Sequence, residues 1–282
     1  MRIFRTAAGA LAELDSRFYL LREDWDTLIN RSGLYDYLNA RIAASEPIQS
    51  DIELSALMEH ILAPIGQQEV WAAGVTYLRS KDARMEESKK GGGSDFYQKV
   101  YEAERPELFF KALPHRVAAP GEAVYIRKDS TWNVPEPEFT LFINSVGEIV
   151  AYTIGNDMSS RSIEGENPLY LPQAKSYERS AALGPCLYVP AQPLPPETTI
   201  SILITRSGHS VFHGEVPLAK MKRSFPELAG WLYRECKFVH GCFLMTGTGI
   251  VPPDDFTLQV GDRIAITVGV VGTLVNVVGE GA

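Results

Sequence analysis

The sequence predicts an α+β fold. Short apolar, β-branched runs separated by turn signals fill the chain from residue 106 onward. Helical patterns fall mostly before residue 105, and strand and helix signals do not alternate as a doubly wound sheet requires.

In chain order, Phe18-Tyr19-Leu20-Leu21 reads as a short strand, and residues 24–29 and 52–62 read as helices. The second helix carries Leu54, Leu57, Met58, Ile61 and Leu62 at helical spacing. Pro64 is expected to end it at the residue before. Residues 1–65 are therefore read as a small N-terminal domain and residues 66–282 as the catalytic domain. Residues 70–75 form a buried strand pattern. Charged helices are expected over residues 82–90 and 95–104, the latter capped by Ser94. Between them, the glycines at 91–93 suggest the hinge of a lid. Strand patterns follow at residues 108–110, 124–126, 140–143, 149–154, 199–205, 263–270 and 272–278. Gly121-Glu122, Val146-Gly147-Glu148 and Val260-Gly261-Asp262 punctuate them. Residues 228–238 give one later helix.

The 282 residues suffice for one large domain, or for one with a small companion. Apolar residues make up 45% and charged residues 22%, as in ordinary globular proteins. A formal charge of −8 argues against a nucleic-acid partner, since phosphate binding needs a basic surface. Three cysteines, Cys186, Cys236 and Cys242, do not make a disulfide framework. Cys236, His240 and Cys242 lack the further ligands that would complete a zinc site, so they are read as structural. No apolar run is long enough to span a membrane, and residues 1–9 lack the apolar core of a signal peptide. A cytoplasmic enzyme is expected. Neither a phosphate loop nor a G-x-S-x-G elbow is present.

The chemistry concentrates in three carboxylates and a lysine. Glu136 and Glu138 lie in Asn133-Val134-Pro135-Glu136-Pro137-Glu138-Phe139, which leads into an apolar strand. Residues two apart on a strand share a face. Pro135 and Pro137 cannot donate to a ladder, which places this segment at an edge or a strand entrance. Asp157 follows the next strand pattern, so pairing of the two strands would bring the three carboxylates together. Adjacent anions repel and call for a cation. All-oxygen ligation suits Mg²⁺, Mn²⁺ or Ca²⁺ rather than zinc.

Taken in order, several segments resemble the fumarylacetoacetate hydrolase superfamily over roughly residues 70–280. They are Gly74-Val75-Thr76-Tyr77, Arg105-Pro106-Glu107-Leu108-Phe109-Phe110-Lys111, Glu136-Pro137-Glu138, Asn156-Asp157-Met158-Ser159, Lys175 and Leu244-Met245-Thr246-Gly247-Thr248. The resemblance implies a mixed β-roll catalytic domain with a small N-terminal part. It also implies a divalent ion on Glu136, Glu138 and Asp157, and a homodimer or homotetramer. Residues 77–84 and 160–175 look like the 2-keto-3-deoxy-arabinonate dehydratase branch of the superfamily, which belongs to pentose catabolism. The hydrolases pair a His with a Glu to activate water. Here Ser80 and Lys81 stand in that region, and no His lies between His60 and His115.

The expectation is Mg²⁺-dependent dehydration of a 2-keto-3-deoxy sugar acid, such as 2-keto-3-deoxy-arabinonate to 2,5-dioxopentanoate. Lys175 is the candidate base for the C3 proton. A divalent cation would favour its neutral form and the carboxylates its charged form. Glu107, beside apolar Leu108, Phe109 and Phe110, is the candidate acid for the departing C4 hydroxyl. By resemblance, Thr248 binds the substrate carboxylate, although a turn role fits it equally. Arg161 and Glu166 have no assigned role. The alternatives are a C–C hydrolase or decarboxylase of acylpyruvate-like acids, and a non-catalytic cation-binding protein.

Overall fold

The computed structural model describes residues 1–87, 94–195 and 197–281. The glycine hinge at 91–93 lies outside the described residues. The strands are β1 (Arg2–Thr6), β2 (Gly9–Leu14), β3 (Arg17–Leu21), β4 (Glu69–Gly74), β5 (Glu107–Ala112), β6 (Val117–Ala118), β7 (Ala123–Ile126), β8 (Asn133–Ile143), β9 (Ile149–Ser160), β10 (Ala181–Tyr188), β11 (Thr199–Arg206), β12 (His209–Pro217), β13 (Cys242–Met245), β14 (Arg263–Val268) and β15 (Gly272–Glu280). The α-helices are α1 (Trp25–Ile29), α2 (Leu34–Ala43), α3 (Asp51–Glu59), α4 (Leu78–Glu87), α5 (Ser94–Glu102), α6 (Arg161–Glu166), α7 (Leu171–Lys175) and α8 (Phe225–Tyr233). None of the helices is long and apolar enough to cross a membrane, among the described residues.

The architecture is α+β, with two mixed sheets. The larger runs β3-β2-β1-β10-β9-β8-β13-β4-β5, with β6 beside β10; the smaller runs β12-β11-β14-β15-β7. Most neighbours are antiparallel, while β13–β4, β10–β6 and β15–β7 are parallel. Neither sheet closes on itself. β1 pairs with β10, so the large sheet runs across residue 65.

The large sheet is strongly coiled. β9 and β5 are four positions apart in it, which is about 19 Å in a flat sheet at ~4.8 Å per strand. Yet Lys111 of β5 reaches Asp157 of β9. This curvature is the roll that the sequence resemblance implies.

Every residue of β8 is buried, because both faces of the strand are covered. On one face Phe139, Leu141 and Ile143 join Ile154 of β9 against Ile202, Ile264 and Leu274 of the smaller sheet. On the other face Phe142 packs with Ala151, Phe243 and Met245, and with Leu28 and Leu38 of α1 and α2. That second face turns polar toward the strand's start, where it presents Thr140, Glu138 and Glu136. The candidate metal ligands Glu136 and Glu138 therefore occupy one end of a face whose other end is core.

The prolines behave as their chemistry requires. Phe139 C=O accepts from Thr246 N–H at 3.1 Å, so the odd-numbered residues of β8 direct their backbone groups to the β13 side. The β13 ladder extends no further than Thr140. Pro135 and Pro137 lie beyond it, where no ladder bond is lost.

The helices depart from the sequence reading in several places. α2, α6 and α7 have no counterpart in it, and α4 begins at Leu78 rather than at residue 82. α3 ends at Glu59 rather than at residue 63, because Leu62 N–H bonds Arg5 C=O at 2.8 Å in an isolated bridge. α8 begins at Phe225 and stops at Tyr233. A capping box between Ser224 and Glu227 sets its start.

Candidate active site

β8 and β9 pair with Glu136 directly opposite Asp157 and Glu138 opposite Gly155. A Cβ at Gly155 would lie 2.5 Å from Thr140 Oγ1, so only glycine fits beside Glu138. Glu136, Glu138 and Asp157 are buried, and one ligand oxygen from each lies within 4.8 Å of the others. This is the convergence that strand pairing predicts. Among the described residues no other group of three or more His, Cys, Asp or Glu gathers in this way. Cys236 is exposed, while Cys242 is buried in β13 with its thiol on the Glu69 carbonyl, so the two do not make a site.

Lys175 ends α7 and is fully buried. Its Nζ donates to Glu136 Oε2 at 2.9 Å, Asp157 Oδ2 at 3.0 Å and Ser159 Oγ at 2.5 Å. Three donated bonds describe an ammonium. Arg161 Nη2 donates to Glu136 Oε1 at 2.8 Å, and Lys111 Nζ lies 2.5 Å from Asp157 Oδ1. The chain's own cations thus already offset much of the repulsion among the carboxylates, so the demand for a metal is weaker than charge alone suggests.

Glu138 is the exception. No ion pair reaches it among the described residues, and it accepts one backbone bond, from Gly247 N–H at 2.6 Å. Burial, reinforced by the Asp157 and Glu136 carboxylates, pushes its carboxyl well above the usual range. Lys111 moves the other way: burial lowers it, and Asp157 opposes that shift.

The Gly247 amide is itself held in place. Gly247 has φ +91°, and a Cβ there would fall 2.0 Å from Thr76 Oγ1. Thr76 Oγ1 donates to Thr246 C=O at 2.7 Å. Val75 precedes it with φ 56°, a costly left-handed conformation for a β-branched residue.

Glu136, Glu138, Asp157, Arg161 and Gly247 line a narrow cleft with Ala73, Gly74, Val75, Ser80, Phe109 and Thr248, while Lys175 and Glu107 lie outside that lining. Glu107 is half-buried at the start of β5, opposite Gly74. A Cβ on Gly74 would meet Glu107 Oε2 at 2.0 Å, so glycine lets that carboxyl lie against the cleft wall. Thr248 lines the cleft, yet its hydroxyl bonds Ile250 C=O and N–H, both at 3.2 Å, which is the turn role that its sequence left open.

The sequence reading gave no role to Lys111, Ser159 or Arg161. A signal for Lys111 was present. Glu107, Phe109 and Lys111 alternate along one strand and so share a face.

Residues 69–279 match the fumarylacetoacetate (FAA) hydrolase C-terminal family. The chain belongs to that family. Two of its relatives are named as sugar-acid dehydratases. A probable 2-keto-3-deoxyxylonate dehydratase of Haloferax volcanii is 45% identical over 84% of this chain and 81% of its own length. A 2-dehydro-3-deoxy-D-arabinonate dehydratase of Saccharolobus solfataricus is 41% identical over 77% of this chain and 73% of its own. The solved structure of 2-keto-3-deoxy-D-arabinonate dehydratase complexed with magnesium and 2,5-dioxopentanoate superposes with a TM-score of 0.87 at 35% identity. It covers 100% of this chain and 99% of that one.

Proposed function

We propose that the protein is a hydro-lyase that removes water from a 2-keto-3-deoxy-pentonate to give 2,5-dioxopentanoate, with Mg²⁺ held by Glu136, Glu138 and Asp157. The observation that carries this is the buried carboxylate triad with Lys175 bridging two of its members. The similarity to dehydratases of this class supports the choice of reaction.

The site fits a divalent cation. Its donors are all carboxylate oxygens, and Glu138 faces the cleft with no cation of its own. The ion, when bound, supplies Lewis-acid polarisation of the 2-keto group, which acidifies C3–H.

The chain's own groups do the rest. Lys175 Nζ, once deprotonated, takes the proton from C3. Glu107 protonates the C4 hydroxyl so that it leaves as water. The resulting C3=C4 unit shifts to C4=C5 as C5 loses a proton and C3 gains one. The C5 enol so formed gains a proton at C4 as its hydroxyl loses one, which leaves an aldehyde at C5. Arg161 fixes Glu136, and the Gly247 amide fixes Glu138. Thr248 lies on the cleft wall, where it would meet the substrate carboxylate once its hydroxyl turns from Ile250. No histidine lines the cleft among the described residues, which disfavours hydrolytic C–C cleavage by an activated water.

The test is incubation with a panel of 2-keto-3-deoxy acids and Mg²⁺ in D₂O, with NMR identification of products. The expected product is 2,5-dioxopentanoate with an intact carbon skeleton and deuterium at C3. Chelation should stop the reaction and Mg²⁺ should restore it. Two carbon fragments, or CO₂, would establish a hydrolase or decarboxylase instead.

A further inference from the structure

Lys111 has no part in the chemistry above, yet it is among the most deeply buried charged groups in the protein, at 1% exposure. Lysine is almost never fully buried without partners. Its ammonium carries three donors, and three acceptors surround it. They are Asp157 Oδ1 at 2.5 Å, the Met158 carbonyl at 2.9 Å and the Lys175 carbonyl. These acceptors belong to β9 and to the end of α7, while Lys111 stands on β5. One side chain therefore ties together three pieces of chain that the sheet order leaves apart. Convergent acceptors around a point suit a compact ammonium rather than the planar fork of arginine.

The geometry has two effects on the site. Asp157 has one oxygen on Lys111 and the other on Lys175, so its carboxylate cannot rotate freely. Lys175 is held by its side chain on Glu136, Asp157 and Ser159, and by its carbonyl on Lys111. Lys111 itself does not line the cleft.

We infer that Lys111 is a positioning residue that sets both the orientation of Asp157 toward a cation and the placement of Lys175 toward substrate. The inference rests on the proposed roles of Asp157 and Lys175. Removing one partner of a buried ion pair is destabilising, although Asp157 keeps Lys175. A purely structural Lys111 would therefore lose stability on substitution by Met while the folded protein kept its cation affinity. With a positioning Lys111, the folded variant loses cation affinity as well.

The experiment measures Mn²⁺ binding by electron paramagnetic resonance, together with kcat and KM, for wild type, Lys111→Met and Lys111→Ala. Loss of an outer group that orients a metal ligand costs about 10–100-fold in affinity or activity. Both variants should weaken Mn²⁺ binding to that extent and lower kcat more than they raise KM. Ethylamine should recover part of the binding in Lys111→Ala, where it has space, and none in Lys111→Met. Folded variants within twofold of wild type in Mn²⁺ affinity and kcat would overturn the inference.

A second measurement needs no Lys111 variant. In the ¹⁵N-labelled wild-type protein, the buried lysine Nζ resonance that persists in Lys175→Met should shift on Mg²⁺ titration with the midpoint of metal binding. An unmoved resonance while the metal binds would also overturn the inference. Wild type that binds no divalent cation at all would instead refute the metal-site reading beneath it.

Discussion

Lys175→Met removes the proposed base while keeping the volume of its stem. The substitution deletes three donated bonds, to Glu136, Asp157 and Ser159. A missing base costs about 10²–10⁴-fold in rate, or roughly 2.7–5.5 kcal/mol of barrier at 1.36 kcal/mol per decade. The stability cost is smaller than for a stranded charge. Glu136 keeps Arg161 and Asp157 keeps Lys111, so neither carboxylate is left alone. One hydrogen bond to a charged group is worth about 1.5–3 kcal/mol, and we take that as the net loss. It corresponds to a fall in Tm of roughly 3–12 °C for a protein of this size class. Removing the ammonium also leaves the carboxylates more negative, so a divalent cation should bind at least as tightly as before. Mg²⁺ should then raise the Tm of the variant more than that of wild type. The assays are kcat at saturating Mg²⁺, Mn²⁺ binding, and thermal unfolding with and without Mg²⁺. Turnover within tenfold of wild type would refute the role of Lys175 as base. Loss of cation binding in step with turnover would show that Lys175 helps to hold the metal, contrary to this reasoning.

Other outcomes follow from the same geometry. Glu107→Gln cannot donate the proton to the leaving hydroxyl and should slow dehydration by about 10²–10⁴-fold with Mn²⁺ affinity unchanged, as paired kinetic and binding measurements will show. Gly247→Ala forces a Cβ to within 2.0 Å of Thr76 Oγ1 at a φ of +91°. Such backbone strain costs about 1–3 kcal/mol. It should also displace the amide that holds Glu138, so both Tm and Mn²⁺ affinity should fall. Burial pushes the Cys186 thiol up to about 12 and the Cys242 thiol well above its usual value, so neither is a thiolate at pH 8. Iodoacetamide on the native protein should therefore modify Cys236 alone, as peptide mass analysis will report.

Much of the site was legible because its first three members lie on two strands adjacent in sequence. Glu136 and Glu138 share a face by the period of two, and a short turn between β8 and β9 makes their pairing with Asp157 a local matter. The same locality made most strands readable. It fails for Lys111, which meets Asp157 only because the large sheet coils through four strand positions. Strand alternation places Lys111 on a face with Phe109, but nothing local says what that face meets. β10 escaped detection because Gly184 and Pro185 interrupt its apolar run. β12 escaped because its residues are mostly exposed and lack a clear apolar alternation. The end of α3 was misplaced because a bond from Leu62 to β1 outweighed local helix propensity.

The two prolines of β8 have a consequence for assembly. Where β13 stops, the strand that carries Glu136 and Glu138 into the interior has a side without a partner strand. An open strand side of this kind can recruit a strand from another molecule, the usual seed of edge-to-edge aggregation. Pro135 and Pro137 leave that side without two of the donors a recruited strand would need. They therefore disfavour strand addition along this length while Glu136 and Glu138 stay in register on β8.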